Sequence, residues 1–416
     1  MGVGFAGITI YIFLAIAART LGPDRYAALS TMWSITFLAA PGFYFPLEQE
    51  VGRALADRRA RGIGGFPVVK RAAIVAVAFV AVLTVLSLVF SDMLMRDFFD
   101  DEALLLAGFV AALAGYALQH LTRGTLSANN CFGAYATVVG AEGAIRLVGC
   151  LLLAGVGVAT AGPYGLVVGL SPFLGVALVA PKARSVLAPG PEADWRELSR
   201  ALGYLLIGSV LAQAMINVAP LIVTVLAADS ERALVGKVLI ALIISRIPLF
   251  FFQAIQAGLI PQLAALAADG LWHDFRVTLA RLVGVIALIA VAFTAVIATM
   301  GPWIIRTFFG PEYELGSGDM ALLSAASGAF MVALAIALAL ISISGYRRAA
   351  FGWVAGMATL LSVTALPGDL LPRVERGFLA GALAAAVAMG LLLAGPLRAG
   401  RLSADAAFAG PPAMEP

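Results

Sequence analysis

The passage Pro41-Gly-Phe-Tyr-Phe45 recurs later in the chain as Pro248-Leu-Phe-Phe-Phe252, at an offset of 248 − 41 = 207 residues. A second pair of similar passages, Arg96-Asp-Phe-Phe99 and Arg306-Thr-Phe-Phe309, lies 306 − 96 = 210 residues apart. The two halves therefore stay in register, with a small insertion in the second. Self-similarity of this length predicts a duplicated chain that folds into two similar lobes.

The composition places these lobes in a membrane. Of the 416 residues, 62% are hydrophobic and 12% are charged, and the mean hydropathy is +0.98. Soluble domains carry roughly twice that share of charged residues, so an ordinary soluble globule is excluded. Apolar stretches long enough to cross a hydrocarbon core of about 30 Å as helices recur along the whole chain. Twelve such stretches cover residues 2–18, 27–49, 72–91, 103–121, 134–156, 162–180, 200–227, 233–259, 278–299, 319–343, 348–366 and 377–396.

The sequence therefore predicts an all-α polytopic membrane protein with about twelve transmembrane helices in two six-helix lobes. Because the repeats are parallel, we expect a pseudo-two-fold axis along the membrane normal and a substrate path between the lobes. Residues 1–180 form the predicted N-terminal lobe, and residues 199–401 form the C-terminal lobe. Residues 181–198, which contain Pro189-Gly-Pro191, form a cytoplasmic connector between them. Residues 402–416 are too poor in large apolar side chains to fold, and we expect disorder there.

The distribution of basic residues predicts the orientation. With the N-terminus in the cytoplasm, 17 of the 27 Lys and Arg residues fall in cytoplasmic loops and 7 in external loops. This positive-inside pattern predicts a multi-pass protein of the cell membrane (plasma or inner) with both termini in the cytoplasm. The remaining three basic residues, Arg146, Lys237 and Arg246, lie within spans.

Two of these arginines are the strongest candidates for substrate binding. A charge at the centre of a membrane helix costs about 2.5–3.5 kcal/mol on insertion scales, so it needs a partner or a function. Arg246 lies near the midplane of the eighth span, where the first repeat has Ala39, and Arg146 lies at a similar depth in the fifth span. Guanidinium groups bind phosphate bidentately, so two of them at one cavity would suit a pyrophosphate.

Glu142 precedes Arg146 by one helical turn, so the two side chains share a helix face. Either they form an internal ion pair, or Glu142 binds a proton or another cation and releases Arg146. The other candidate substrate-binding residues are polar side chains within spans, which either line a path or bond between helices: Gln213, Asn217, Gln253, Gln256 and Lys237. Lys237 also lies close enough to the external end of its span to snorkel.

At the cytoplasmic end of the second span, Glu48 and Arg53 form either a gate salt bridge or a solvated helix end. Pro41 and Pro248 each remove a helical hydrogen bond, which permits a kink in the second and the eighth span. Neither His120 nor His273 has neighbours with metal-ligand spacing, so we expect no metal site and no cofactor. A coupling ion, either H⁺ or Na⁺, stays open.

Motifs of enzymes are missing from the sequence. It contains no P-loop, no nucleophile elbow and no zinc-binding HExxH, so we expect a protein that is not an enzyme. The acidic run Asp100-Asp-Glu102 would suit a membrane glycosyltransferase that uses lipid-linked sugars. Its repeat counterpart, Gly310-Pro-Glu312, is an ordinary loop, so we interpret the acidic run as a solvated turn.

Three passages resemble the Wzx-like polysaccharide flippases of the MOP/MATE superfamily. Ala18-Arg-Thr-Leu-Gly-Pro-Asp-Arg-Tyr26 is similar to their ARxLGPxxYG signature, with Ala27 in place of the final Gly. The stretch from Arg246-Ile-Pro248 to Ile260-Pro-Gln-Leu263 resembles their eighth span, in which an Arg before the Pro points into the cavity. Gly301-Pro302 through Phe309-Gly-Pro-Glu-Tyr313 resembles the segment after their ninth span.

This resemblance implies a central cationic cavity with Arg246 in it, and alternating access that moves a polyprenyl-pyrophosphate-linked saccharide to the outer leaflet. It also implies membrane lipids and glycosyltransferases or a polymerase of the same pathway as partners, and no nucleic acid. The first span lacks the Arg-Asp pair of the lipid II branch, which argues against lipid II as substrate. Substitution of Arg246 or Arg146 by Ala is expected to abolish transport and to leave membrane insertion intact.

Two alternatives remain at this point. One is a cation-coupled drug or metabolite antiporter of MATE type, which would require an acid-rich cavity. The other is a membrane glycosyltransferase or ligase, which would require Asp100 and Asp101 for activity.

Overall fold

The computed structural model describes residues 2–198, 202–228 and 231–399. This part of the chain is helical, apart from turns and loops, and contains no strand. Its long helices are α1 (Gly2–Ala60), α2 (Phe66–Val89), α3 (Ala103–Ala128), α4 (Phe132–Gly155), α5 (Ala161–Ser185), α6 (Leu202–Leu226), α7 (Ala233–Ser245), α8 (Ile247–Ala268), α9 (Trp272–Phe308), α10 (Ser317–Ser342), α11 (Tyr346–Thr364) and α12 (Leu370–Ala399).

These helices account for all twelve predicted spans. Nine helices in the described segments are long and apolar enough to cross a membrane. The number is below twelve because α1 contains the first two spans and two arginines make the start of α11 less apolar. The eighth span is divided between α7, which is only 13 residues long, and α8, many of whose side chains lie outside the described part of the structure. The predicted fold class, an all-α multi-pass membrane protein, is therefore confirmed.

The first two spans are joined at a single residue. Gly22 leaves the helical conformation with φ 72° and ψ 168°, whereas the rest of α1 stays helical. A positive φ is accessible to glycine without strain, and the next residue, Pro23, needs no N–H donor in the first turn of the second segment. The Leu-Gly-Pro passage of the sequence thus produces a bend rather than a loop.

Each lobe is a bundle, and the two bundles meet along α1. In the N-terminal lobe α1 packs against α3, α4 and α5, and α3 packs closely against α5. In the C-terminal lobe α12 packs against α10 and α11, while α10 also packs against α9. Across the boundary, α1 packs against α6 and α7. Small residues permit the closest approaches: a Cβ added to Gly169 would lie 2.2 Å from the carbonyl oxygen of Gly108.

The connector is bound to the N-terminal lobe by a buried arginine. The Arg58 guanidinium donates to both carboxylate oxygens of Glu197, at 2.7 and 2.9 Å. It also donates to the carbonyls of Gly64, Pro191 and Glu192 at 2.9, 3.0 and 3.2 Å. Four of these hydrogen bonds hold the connector against the end of α1, and the fifth, to Gly64, fixes the loop that follows α1. We call this side of the molecule the connector face.

The connector is shorter than predicted, because α5 continues through Pro181 and ends at Ser185. A single 3₁₀ turn, Trp195–Glu197, lies within the connector. The exposed ring of Trp195 lies under the Arg71 guanidinium, 4.8 Å from it.

In the acidic run on the opposite face, Asp100 and Asp101 form an exposed turn, as predicted, whereas Glu102 caps a helix. Asp100 and Asp101 have positive φ angles of 51° and 58°, which aims the following carboxylate at the start of α5. Glu102 accepts hydrogen bonds from the backbone N–H groups of Ala161, at 2.9 Å, and Gly162. A carboxylate at a helix N-terminus satisfies free N–H groups and offsets the helix dipole. Glu102 therefore has a structural role.

Candidate functional site

The eighth span breaks at Arg246. Its φ and ψ of −96° and 2° end α7, and α8 begins at the next residue. Pro248 lacks an N–H group, so it cannot continue the hydrogen-bond ladder of α7. The carbonyl of Ile243 accepts from the backbone N–H of Arg246 at 3.2 Å and from the hydroxyl of Tyr11 at 2.9 Å. A side chain of the N-terminal lobe thus satisfies a carbonyl at the break.

At the other repeated proline, Pro41, the supporting side chain comes from the C-terminal lobe. Helix α1 stays helical through Pro41, which cannot donate to the carbonyl of Phe37 four residues earlier. That carbonyl accepts from Asn217 Nδ2 on α6, at 3.2 Å. Each lobe therefore supplies a side chain to a backbone carbonyl beside the repeated proline of the other, as buried backbone groups in a membrane require.

Arg246 projects donors that nothing in the described segments uses. Its Nη1 donates to Asn217 Oδ1 at 3.3 Å. Its Nε and Nη2 atoms are buried, and neither has a hydrogen-bond partner among the described residues. A buried, unpaired donor on a charged group is costly. Two free N–H groups on one planar guanidinium match two oxygen atoms of an anionic group.

The eighth span changes its packing partners at this residue. Helix α7 packs against α1, whereas α8 has its main packing partners in its own lobe, α9 and α10. Toward the connector face, α1 keeps its contact with α6, where a Cβ on Gly42 would lie 3.3 Å from Val210. Arg246 thus marks the depth at which the eighth span leaves the N-terminal lobe.

On the face opposite the connector, contacts between the lobes are numerous. The Tyr313 hydroxyl donates to the carbonyl of Ala18 at 2.9 Å. Arg19 donates to the carbonyls of Thr307 and Phe308, the latter at 2.8 Å. The carboxylate of Asp100 lies 3.4 Å from the Arg232 guanidinium. These contacts close the boundary between the lobes on that face.

Arg146 and Glu142 form a buried ion pair inside the N-terminal lobe. Nη1 of Arg146 lies 2.7 Å from the Glu142 carboxylate, and Arg146 is only 1% exposed. The same carboxylate accepts from the Tyr116 hydroxyl at 2.9 Å and from the Gln119 amide at 3.1 Å. The guanidinium lies 5.4 Å from the ring of Trp33. This is the geometry of the internal-pair alternative, and substrate binding by the two residues stays a prediction.

The remaining candidate substrate-binding residues have few contacts in the described part of the structure. Gln213 accepts from Asn217 Nδ2 at 3.3 Å, one turn away on α6, and so belongs to the Arg246 site. Lys237 is half-buried on α7. Gln253 and Gln256 lie in α8, but their side chains are outside the described part of the structure, as are residues 402–416.

Glu48 and Arg53 belong to two separate clusters. Glu48 is 7% exposed and bonds His120 at 2.7 Å and Tyr135 at 3.2 Å. Arg53 instead pairs with Glu50 at 2.9 Å and donates to the Glu197 carbonyl at 2.6 Å. Both carboxylates are buried, so this end of the second span is not a solvated helix end.

Sequence reasoning did not find His120, Arg123, Tyr135, Trp33 or Tyr11 as site residues. The spacing of His120 and Arg123, three apart on one face of α3, was the one local signal. Groups of three or more His, Cys, Asp or Glu side chains with metal-binding geometry do not occur in the described segments.

No family model matches the chain. The uncharacterized protein Rv1510 of Mycobacterium tuberculosis (strain ATCC 25618 / H37Rv) is 23% identical over 378 residues, which cover 89% of this chain and 85% of that protein. A multidrug resistance MATE family transporter of the MOP superfamily, solved in an inward-facing conformation, superposes with a TM-score of 0.75 at 16% identity, over 95% of this chain and 96% of the other. The chain has the fold of the MATE transporters.

A structure of a MATE family transporter in an outward-facing conformation superposes with a lower TM-score of 0.67, at 18% identity and over 96% of this chain and 94% of the other. The two-lobe MATE fold also accounts for the parallel duplication in the sequence.

Proposed function

We propose that this protein is a membrane transporter that carries a polyprenyl-pyrophosphate-linked saccharide from the cytoplasmic to the outer leaflet by alternating access. The observation that carries the proposal is the Arg246 guanidinium at the helix break, whose buried Nε and Nη2 atoms have no partner among the described residues. A pyrophosphate supplies paired anionic oxygens for such a fork.

The depth of the site suits this substrate. The lipid tail remains in the bilayer during translocation, so only the headgroup has to cross the hydrocarbon region. The pyrophosphate carries most of the headgroup's charge, and crossing is hardest where water is absent. One guanidinium near the midplane lowers that barrier with few fixed charges.

The fold likeness favours a second candidate, a cation-coupled drug or metabolite antiporter, because the similar solved structure is of a multidrug resistance transporter. An antiporter for organic cations needs unpaired acids along its path. In the N-terminal lobe, Glu142 is paired with Arg146, and Glu48 lies 3.3 Å from Arg123. The pairing of these two acids favours an anionic substrate. In the C-terminal lobe, the buried Glu375 carboxylate of α12 has no hydrogen-bond partner among the described residues, and it is the acid that favours the antiporter.

A glycosyltransferase or ligase receives no support from its candidate acids. Asp100 contacts Arg232 at the closed face, and Glu102 caps α5. Both contacts give these side chains structural tasks.

The test combines depletion of the protein with two variants of the same residue. Depletion is expected to raise the lipid-linked saccharide in the cytoplasmic leaflet, identified by mass spectrometry of extracted lipids. Arg246→Ala is expected to reduce transport at least tenfold, since a hydrogen bond to a charged group contributes about 1.5–3 kcal/mol. Arg246→Lys keeps the charge and loses the fork, so an intermediate loss is expected.

Arg306→Ala is the matched control, because Arg306 lies in the same lobe and is largely exposed. It should transport normally. Normal transport by Arg246→Ala, at wild-type membrane levels, would refute the anionic site. Altered drug sensitivity without any lipid-linked intermediate would establish the antiporter instead.

A further inference from the structure

A second buried polar cluster lies in the N-terminal lobe, formed by Glu48 of α1, His120 and Arg123 of α3, and Tyr135 of α4. Three helices converge on one carboxylate. Oε2 of Glu48 lies 2.7 Å from His120 Nδ1, and Oε1 lies 3.2 Å from the Tyr135 hydroxyl and 3.3 Å from Arg123 Nη2. We call these four residues the Glu48 cluster.

The hydrogen bonds assign a tautomer to the histidine. Because an ionised carboxylate only accepts, the proton at the His120–Glu48 contact resides on Nδ1. In the neutral ring Nε2 then carries a lone pair, and Nε2 has no hydrogen-bond partner among the described residues. The ring is 4% exposed and is flanked by the rings of Tyr44 and Phe45, with centroids 6.3 and 6.5 Å away.

The charged side chains of the N-terminal lobe's two buried clusters sum to zero when the His120 ring is neutral. Arg123 and Glu48 compensate each other, and Arg146 and Glu142 do so one turn deeper. Protonation of Nε2 makes an imidazolium, with Glu48 as its immediate counter-ion, and leaves one unbalanced positive charge inside the lobe. Water stabilises a buried net charge. Protonation of His120 therefore favours conformations of the protein in which water reaches the cluster over those in which it does not.

The cluster has an opening toward the connector face. The Arg123 side chain is 20% exposed and Tyr135 is half-buried, whereas His120 and Glu48 are enclosed. The Tyr135 hydroxyl accepts from Arg123 at 2.6 Å and donates to Glu48. It therefore connects the exposed edge of the cluster to the enclosed carboxylate. A proton from the connector side therefore has a polar route to the enclosed pair.

We propose that the Glu48 cluster is a proton-binding site, with His120 Nε2 as the acceptor, and that the proton is the ion coupled to transport. The coupling part rests on the proposed transport function, whereas proton binding does not. The sequence suggested Glu142 as the proton-binding acid. Its carboxylate is instead bound by Arg146, Tyr116 and Gln119. His120 is the group in the two clusters whose ordinary titration range lies closest to neutral pH.

The histidine content permits a direct test of proton binding. The chain has two histidines, His120 and the exposed His273. ¹⁵N-histidine labelling of the full-length protein in nanodiscs gives signals from both, and His273→Gln leaves those of His120 alone. The expected result is one neutral Nδ1–H tautomer at high pH and a one-proton transition of Nε2 as the pH falls. A His120 signal that stays neutral between pH 8 and pH 5 overturns the proposal.

Coupling is tested in proteoliposomes that contain the lipid-linked saccharide. A pH gradient is expected to stimulate wild-type and His273→Gln transport equally. His120→Gln should lose that stimulation and keep transport without a gradient, because Arg246 is untouched. Gradient stimulation retained by His120→Gln overturns the proposal, as does stimulation by a sodium gradient but not by a pH gradient.

The two proposals fail in different ways. If the wild-type protein moves no lipid-linked saccharide, the proposed function and the coupling fall, and the ¹⁵N titration still decides whether the Glu48 cluster binds a proton. If transport occurs and the ring never titrates, the flippase stands and the proton site is refuted.

Discussion

The side-chain amide of Asn217 joins the two lobes: its Nδ2 donates to the carbonyl of Phe37 at 3.2 Å, while its Oδ1 accepts from Arg246. One residue thus satisfies the carbonyl that Pro41 leaves without a donor and holds one end of the candidate guanidinium. The Nε and Nη2 atoms of Arg246 have no hydrogen-bond partner in the described part of the chain. The neutrality of this amide is essential, because a carboxylate at the same place would occupy the guanidinium.

Asn217→Asp is expected to weaken substrate binding while the protein remains folded. The new carboxylate forms an ion pair with Arg246 and competes with an anionic headgroup. The measurement is the substrate-induced rise in melting temperature, which should shrink or vanish. Tyr204→Glu is the control, since it adds the same charge to an exposed position of α6 outside the Arg246 site. An unchanged response of Asn217→Asp would mean that the headgroup does not bind at Arg246.

Tyr11→Phe is expected to destabilise the closed boundary between the lobes. It removes one of the two donors to the Ile243 carbonyl, and with it a hydrogen bond between the lobes, at a cost of about 1 kcal/mol. A lower melting temperature in detergent, and faster hydrogen exchange in α7 measured by mass spectrometry, would show this. Tyr204→Phe removes a hydroxyl from an exposed side chain of α6 and should change neither.

The sequence was sufficient to predict the twelve spans, the bend-prone Pro248 and the isolated charge of Arg246, because apolar length, proline and a lone charge are local signals. It could not predict that Pro41 leaves α1 helical, since that outcome depends on Asn217, a residue 176 positions later. The His120–Glu48 contact joins residues 72 apart on two spans. Which face of each apolar helix turns toward the other is set by packing, and uniformly apolar helices carry little sequence signal for it.

Arg146→Ala is expected to unfold or strongly destabilise the N-terminal lobe, by about 3–5 kcal/mol, because it leaves Glu142 charged and unpaired in a dry interior. The double variant Arg146→Met with Glu142→Gln removes both charges and should recover most of the melting temperature. From the sequence alone, Arg146→Ala was expected to abolish transport and to leave membrane insertion intact. The buried ion pair instead predicts a loss of stability. A well-folded Arg146→Ala protein that fails only in transport would instead assign Arg146 to the substrate path.

The connector is expected to loosen at acidic pH. The hydrogen bond from Arg58 lowers the pKa of Glu197 from its ordinary value. A depressed carboxyl pKa contributes stability that is complete above the ordinary value of about 4.3 and is lost as the pH falls through the folded-state value. Proteolysis within residues 186–198 should therefore be slow at pH 7 and faster below pH 4. Glu197→Gln should be cleaved rapidly at pH 7, whereas Glu192→Gln, whose side chain is exposed, should behave like the wild type.

A disulfide across the closed face is expected to stop transport reversibly. Asp100 and Arg232 face each other from different lobes. In a background with Cys131→Ala and Cys150→Ala, the pair Asp100→Cys and Arg232→Cys should crosslink on oxidation, and alternating access should cease because this face must open. Reduction should restore transport.

The matched control for this crosslink lies within one lobe. Arg306 and Glu314 form an ion pair at 2.7 Å on the same face, and both belong to the C-terminal lobe. Arg306→Cys with Glu314→Cys should crosslink without loss of transport, because the two positions move as one body. Full activity of the oxidised Asp100–Arg232 pair, with the crosslink verified by mass spectrometry, would show that the lobes do not separate at this face and that the transport cycle uses another motion.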